Sequence, residues 1–322
     1  MEGTGFEPVY AMRADLQSAA FNHSATPPRD CIVSLPFDGV STLRVKTRYR
    51  TTDNSRSALI VTKQKGRKRP NENNQKPRQK KSRHSENGQA GQVWLWGIHA
   101  VQAALENDNR KSFGLKATAN AIRKLDLKSA IEVSGGELGA MLPPGAVHQG
   151  VAMQVAPLKP VSLQEVLEAR PQRIAVLDQI SDPHNLGAVM RSAAAFGVEV
   201  IILQNRHSPP ITGVVAKAAA GAVEGVGECR VVNVARALDG LTQAGYTAIG
   251  LAGGGEALLG DVIPQSGPVA LVFGAEGAGL RPAVAKACTW LAKIPISSAM
   301  ESLNISNAAA IAFYEMARQD LL

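Results

Sequence analysis

Cysteine and aromatic residues are scarce in this chain, at 3 residues and 4%. Cys31, Cys229 and Cys288 stand too far apart for a disulfide framework or a metal cluster, so a reducing compartment is expected. The histidines, His23, His84, His99, His148, His184 and His207, show no metal-ligand spacing, and no metal is expected. No uninterrupted apolar run reaches the roughly 18 residues of a membrane span. The first residues, with Glu2 and Glu7, lack the basic start and apolar core of a secretory signal. Neither G-x-G-x-x-G nor G-x-x-x-x-G-K-[ST] occurs, and Ser302 lies outside any G-x-S-x-G. These absences exclude a disulfide scaffold, a membrane protein and the common dinucleotide, phosphate-loop and serine-hydrolase sites. A cytoplasmic protein is expected.

What is present is unevenly distributed. The chain carries a formal +8, yet residues 1–92 hold 17 of the 35 Lys and Arg and 8 of the 27 Asp and Glu, which leaves residues 93–322 at −1. The basic character therefore belongs to a tail. Residues 1–40 show no sustained period of 2 or 3.6 and read as a disordered leader or an over-extended start. Residues 44–83, typified by KQKGRKRPNENNQKPRQKKSRH, replace apolar side chains with positive charge, Asn, Gln and Pro. Such a segment cannot bury enough surface to offset chain entropy. It can hold a polyanion by counterion release, or serve only as a solubilising linker.

Order is expected from about Trp94. WLWGIHAVQAALEN predicts a short strand entering a helix with Ile98, Val101, Ala104 and Leu105 on its apolar face. ANAIRKLDLK continues helical, IEVSGGELGAML supplies a strand and turn, and HQGVAMQVAPL closes with alternating Val151, Met153 and Val155. Residues 93–157 thus form a small α/β unit, followed by a linker at 158–171. From 172 to 322 six apolar, β-branched runs (RIAVLDQI, VEVIILQ, CRVVNV, YTAIGLA, PVALVFG, TWLAKIPI) alternate mostly with Ala-rich helical stretches. That pattern predicts a doubly wound α/β domain with a parallel sheet covered on both faces.

Ligands of such sheets bind beyond the carboxyl ends of the strands. Three loops there are rich in Gly and small polar residues. LDQISDPHNLGAVMRSAAAFG (177–197) places Asp182, His184 and Asn185 at a helix start and Arg191 nearly two turns in; the polar residues can equally be plain helix caps. VFGAEGAGL (272–280) sets Glu276, its one ionisable group, among Gly274, Gly277 and Gly279. IPISSAMESLNIS (294–306) offers Ser302, Asn304 and Ser306, all good caps.

In this order and spacing, DPHNLGAVMRSAAAFG, LVFGAEGAGL and IPISSAMESLNISNAAA resemble the three motifs of the SpoU family of RNA 2'-O-ribose methyltransferases, over about 150 residues. The leading unit, with GIHAVQAALE and HQGVAM, looks like the L30e-like RNA-binding domain of the family's TrmH branch. Within the family the likeness is greatest to the enzymes that methylate a guanosine ribose of 23S rRNA. The resemblance implies a deep trefoil knot, an exception to un-knotted topology, a homodimer whose active site uses both subunits, and S-adenosylmethionine held bent in the knot. It places the cofactor-contacting positions on Gly274, Ile294 and Leu303, and the catalytic set on Asn185, Arg191, Glu276, Ser302 and Asn304. Glu301, before Ser302, departs from the small residue common there and is given no role.

Methyl transfer to a ribose hydroxyl is an in-line displacement, so the protein must position two reactants and remove a proton. The resemblance makes Arg191 the group that activates the 2'-hydroxyl, oriented by the other four. A free guanidinium ionises near 12.5 to 13.8, and lowering that to roughly 8 costs on the order of 6 to 8 kcal/mol. Arg191 is therefore either a neutral base or a cation that gathers phosphate and stabilises the alkoxide. Because the 2'-hydroxyl distinguishes RNA from DNA, RNA is the implied partner. A tRNA substrate, or a catalytically silent RNA-binding knot protein, are the alternatives.

Overall fold

The structure, a computed structural model, describes residues 91–319 and, ahead of them, the backbone of two short strands, β1 (Cys31–Val33) and β2 (Val45–Thr47), which pair antiparallel. β1 falls where the sequence predicts no element, and β2 in the basic stretch expected to stay flexible. The expected disorder of the basic tail otherwise lies outside the described residues.

The small unit comprises β3 (Val93–Trp96), α1 (Ile98–Glu106), β4 (Ser112–Ala117), α2 (Ala119–Leu125), β5 (Ile131–Glu132), α3 (Gly135–Ala140) and β6 (Val151–Val155). Its four strands lie in the order β3-β6-β4-β5. Two elements depart from expectation. β4 escapes sequence reading because its glycine breaks the alternation, and it pairs with β6 through an irregularity between Ser112 and Gly114. α3 occupies a stretch read as a turn; Ser134 and Glu137 cap it reciprocally, which offsets the two glycines at its start. On α1 the buried face is Ala100, Val101 and Ala104, whereas Leu105 is exposed.

The expected linker at 158–171 contains a short helix. α4 (Leu163–Ala169) starts with a second capping box, Ser162 with Glu165, and buries Val166 against the large sheet. Beyond it lie β7 (Arg173–Leu177), α5 (Pro183–Ala195), β8 (Val200–Gln204), α6 (Gly213–Ala219), a 3-10 turn (Ala222–Glu224), β9 (Gly227–Val231), α7 (Val234–Gln243), β10 (Thr247–Leu251), β11 (Ala257–Leu258), α8 (Leu259–Val262), β12 (Val269–Phe273), α9 (Pro282–Ala287), β13 (Trp290–Lys293) and α10 (Ile305–Gln319).

All six predicted runs become strands, joined by the short β11. They form one seven-stranded sheet, β11-β13-β10-β12-β7-β8-β9, in which every pairing is parallel. Successive residues point to opposite faces. Ala175, Leu177, Ile201, Leu203, Leu271 and Phe273 therefore enter one core with α5, α6 and α10, while Ile174, Val176, Ile202, Ala270 and Val272 enter a second with α4, α7 and α9. Phe313 of α10 is fully buried and meets Phe273 edge-on at 5.6 Å between centroids. Among the described residues no helix is long and apolar enough to cross a membrane.

From β7 the chain builds outward through β8 and β9, whereas from β12 it passes over β10 to β13 in the opposite direction. The order reverses between β7 and β12, and in an open parallel sheet such a reversal makes a ligand crevice beyond the carboxyl ends of the two strands.

Candidate active site at the switch point

The loops after β7 and β12 part at this crevice and carry two of the candidate residues. Asp182 caps α5, its side chain accepting from the His184 amide at 2.9 Å, and Pro183 presets the first turn. That fixes Asn185 in the first turn. Its Nδ2 donates to Glu276 Oε1 at 2.5 Å. The third loop closes the cluster: Asn304 Nδ2 donates to Asn185 Oδ1 at 3.2 Å and to Glu276 Oε1 at 3.3 Å. Asn304 Oδ1 meanwhile accepts from the Ser306 amide at 2.8 Å, so the cap of α10 holds the side chain in place. The cap reading and the site reading are both realised in one residue.

Glycines shape the loop that presents Glu276. A Cβ on Gly274 would lie 2.1 Å from the Gly279 carbonyl carbon, so the two strands of the loop touch backbone to backbone. Ala275 and Gly279 exchange amide hydrogen bonds at 3.0 and 2.9 Å, and Gly277 and Gly279 turn the chain at φ 77° and 67°.

An ion pair between a buried carboxylate and a half-exposed guanidinium ties this loop to the first. Arg281 Nε donates to Asp178 Oδ2 at 2.9 Å and Nη2 donates to Oδ1 at 2.5 Å. This side-chain hydrogen bonding to Asp178 raises the Arg281 pKa further above its ordinary value. Asp178 is 1% exposed, so it acts on the loops and not on a ligand. Sequence reading missed this pair; an acid directly after an apolar strand was the available signal.

The other candidates are not drawn into the cluster. Arg191 is exposed on α5, six residues beyond Asn185 and so about 9 Å along and about 120° around the helix. Among the described residues it makes no hydrogen bond or ion pair. Ser302 is exposed and likewise unpartnered. Leu303 and Ile294 are half-buried, Ile294 against the core. A fourth loop, 252–256, lies after β10, between the loops of β12 and β13. Gly255 there backs onto β13, where a Cβ would stand 2.8 Å from the Ala292 carbonyl carbon. The run Gly253–Gly255 was its sequence signal.

Together the loops after β10, β12 and β13 present backbone and small side chains, and the loops after β7 and β13 present amides around one carboxylate. Glu276 Oε1 receives both asparagine amides, which leaves Oε2 open to a donor from a ligand. Burial pushes the Cys229 and Cys288 thiols up to about 11, so neither is a ready nucleophile. Among the described residues no three His, Cys, Asp or Glu side chains converge to hold a metal ion.

Residues 172–314 match the SpoU rRNA methylase family. The chain is 36% identical over 241 residues to the 23S rRNA (guanosine-2'-O-)-methyltransferase RlmB of Coxiella burnetii, covering 70% of this chain and 95% of that protein. The fold is that of the SpoU methyltransferase AviRb from Streptomyces viridochromogenes, solved with AdoMet (TM-score 0.61, 21% identity, 72% of this chain and 91% of the other). An rRNA methyltransferase from Sinorhizobium meliloti aligns similarly, with a TM-score of 0.60 at 25% identity over 72% of this chain and 88% of its own. With its three motif loops meeting at the switch point and a relative matched over nearly its whole length, this chain belongs to the SpoU rRNA methylase family.

Proposed function

We propose that the protein transfers a methyl group from S-adenosylmethionine to a ribose 2'-hydroxyl of RNA, a guanosine of 23S rRNA. The observation that carries this is the hydrogen-bonded set Asn185, Glu276 and Asn304, drawn from three loops to one crevice. The Coxiella relative's name supplies the substrate. The cofactor fits the residues present: Gly255 and Gly274 let their loops pack backbone to backbone against β13 and Gly279, so main-chain groups and small residues make up these loops. Gly274, Ile294 and Leu303 would line its site. Bound there, S-adenosylmethionine supplies an electrophilic methyl on a sulfonium.

The chain's own residues do the rest by positioning. Glu276 Oε2 accepts the hydrogen bond of the ribose 2'-hydroxyl and takes its proton as the oxygen gains the methyl group, with the carboxylate aligned by the Asn185 and Asn304 amides. Ser302, exposed two residues before Asn304, adds a hydroxyl toward the ribose phosphate. Arg191 serves as the cation that gathers that phosphate and stabilises the developing alkoxide. One chain does not bring it to the cluster, and we place it in the site through a homodimer. Ile311 and Tyr314 of α10, exposed at 43% and 54%, and Ile296 and Met300 of the third loop supply an apolar face for the second copy. We further take the threading of the 294–304 segment to be a trefoil knot and residues 172–322 to be its domain. Residues 93–157 are the L30e-like RNA-binding unit, and the basic tail is an added RNA contact. The enzyme works in the cytoplasm.

The test is labelled methyl transfer to rRNA and tRNA from cells lacking this protein, with nuclease mapping. A 2'-O-methyl group at one 23S nucleotide, lost in Arg191→Ala, is expected. Label confined to tRNA moves the substrate, and cofactor binding without any label refutes the reading.

A further inference from the structure

A second cleft, of about 500 Å³, lies beside the candidate site and is lined by Gln179, Ser181, Arg206, His207, Ser208 and Pro209. Its walls are the loops after β7 and β8, which are neighbours in the sheet. The Asn185, Glu276 and Asn304 cluster stands over the β12–β7 boundary and the cleft over the next one, β7–β8, so the two are neighbours along the carboxyl edge of the sheet.

Three features mark the cleft as built to receive an anion. Arg206 and His207 are exposed and, among the described residues, make no hydrogen bond, ion pair or ring contact, so the positive charge of Arg206 is uncompensated. Ser208 Oγ, whose hydroxyl can donate to an anion, is buried without a partner in the cleft wall. An unmet buried polar group costs about 1 to 3 kcal/mol, which a ligand can recover. The wall itself is fixed. Arg230 donates to the Pro209 carbonyl at 2.7 Å while paired with Glu228, the Asn205 amide bonds the Val231 carbonyl at 2.8 Å, and Gln179 is held at φ 64°.

We propose that this cleft binds the phosphodiester of the nucleotide flanking the methylated ribose, with Arg206 as its charge contact and Ser208 as a hydroxyl partner. The inference rests on the RNA methyltransferase reading. The cofactor, carboxylate included, is placed on Gly274, Ile294 and Leu303 of the loops after β12 and β13, on the other side of the switch point, so this cleft is left to the RNA. Phosphate contacts set the register of a nucleic acid without reading its bases; this one would seat the target ribose over Glu276.

The test uses the full chain and a fluorescein-labelled oligoribonucleotide hairpin, followed by anisotropy over a salt series, alongside methyl-transfer kinetics on rRNA. Arg206→Ala is expected to weaken hairpin binding on the order of tenfold at low salt and to reduce the salt slope by about 0.7 to 0.9. It should raise KM for RNA, leave kcat at saturating RNA close to wild type, and leave cofactor affinity unchanged. Arg206→Lys, which keeps the charge, should recover most of the loss. Unchanged affinity and slope in Arg206→Glu would overturn the proposal, as would a fall in kcat with KM for RNA intact. A wild-type protein that methylates no RNA yet binds the hairpin through Arg206 would sink the functional reading and keep the subsite.

Discussion

Asp178 and Arg281 join the two loops that carry Asn185 and Glu276, and they are buried unequally. The carboxylate is 1% exposed, while the guanidinium side chain retains 39%. Removing either partner breaks the same hydrogen bonds, but the survivors meet different fates. Arg281→Ala strands a carboxylate with almost no access to water, and breaking a buried pair in this way costs about 3 to 5 kcal/mol. Asp178→Ala leaves a guanidinium that can turn outward and hydrate, so the loss approaches that of charge-assisted hydrogen bonds alone, about 1.5 to 3 kcal/mol. Urea unfolding of both variants, with slopes compared to guard against a changed transition, should place Arg281→Ala below Asp178→Ala, by about 1 to 2 kcal/mol at the middle of the two ranges. Both should also lose methyl transfer, because the crevice widens. If Asp178→Ala is the more damaging of the two, burial does not set the energetics of this pair and the reasoning fails.

Two further outcomes follow from geometry and charge. Gly274→Ala must displace backbone, not a side chain, and should abolish cofactor binding by calorimetry while lowering Tm; Gly277→Ala, strained only by its positive φ with open space around it, should cost about 1 kcal/mol and bind normally. Glu137 and Glu165 are held below the ordinary carboxylate value of 4.5, first by the backbone hydrogen bonds from Ser134 and Ser162. A carboxylate depressed in the folded state gives stability that is full above its unfolded pKa and is lost as pH falls through the folded value. Glu165→Gln should therefore flatten the acid limb of a Tm-against-pH curve below about 4.5 and change little at pH 7.

Periodicity revealed the strands of the large sheet because each is buried on both faces. A run such as Val269–Phe273, with all its residues buried, admits no polar alternation. It failed where burial is one-sided or absent. Ala257–Leu258 is two residues long, and Ser112–Ala117 has exposed positions and a glycine. Helix α3 hid behind Gly135 and Gly136, although its capping box was readable as S-x-x-E. Of the candidate site, the residues that met are those whose side chains are fixed by local structure: Asn185 by a capped first turn, Glu276 by a glycine hairpin, Asn304 by its own cap. Arg191 points elsewhere for a reason equally local, since six residues on a helix turn it about 120° from Asn185. Which loops touch across the crevice depends on strand order, and no spacing in the sequence encodes that.

Strand order also decides how the small unit can matter to chemistry at the crevice. Gly213, which opens α6, packs so tightly that a Cβ would meet the Trp96 ring at 2.0 Å, and the α1–β4 turn is locked by Arg110 and Glu224, 3% and 8% exposed. Arg110 also donates to the Ala156 carbonyl at 2.8 Å, and Asn107 donates to Glu224 at 2.8 Å. The small sheet is thus anchored on α6 and its 3-10 turn, the elements that follow the Arg206 loop. RNA held by the small unit would reach the Glu276 cluster from the β8 side, past Arg206. Glu224→Ala strands the buried Arg110 and should cost about 3 to 5 kcal/mol of that docking. Cofactor affinity, which we propose to lie in the loops after β10, β12 and β13, should be untouched, while KM for RNA rises. An unchanged KM with a docked-state loss visible by hydrogen exchange at Ile98–Glu106 would mean that the RNA approaches from the other edge of the sheet.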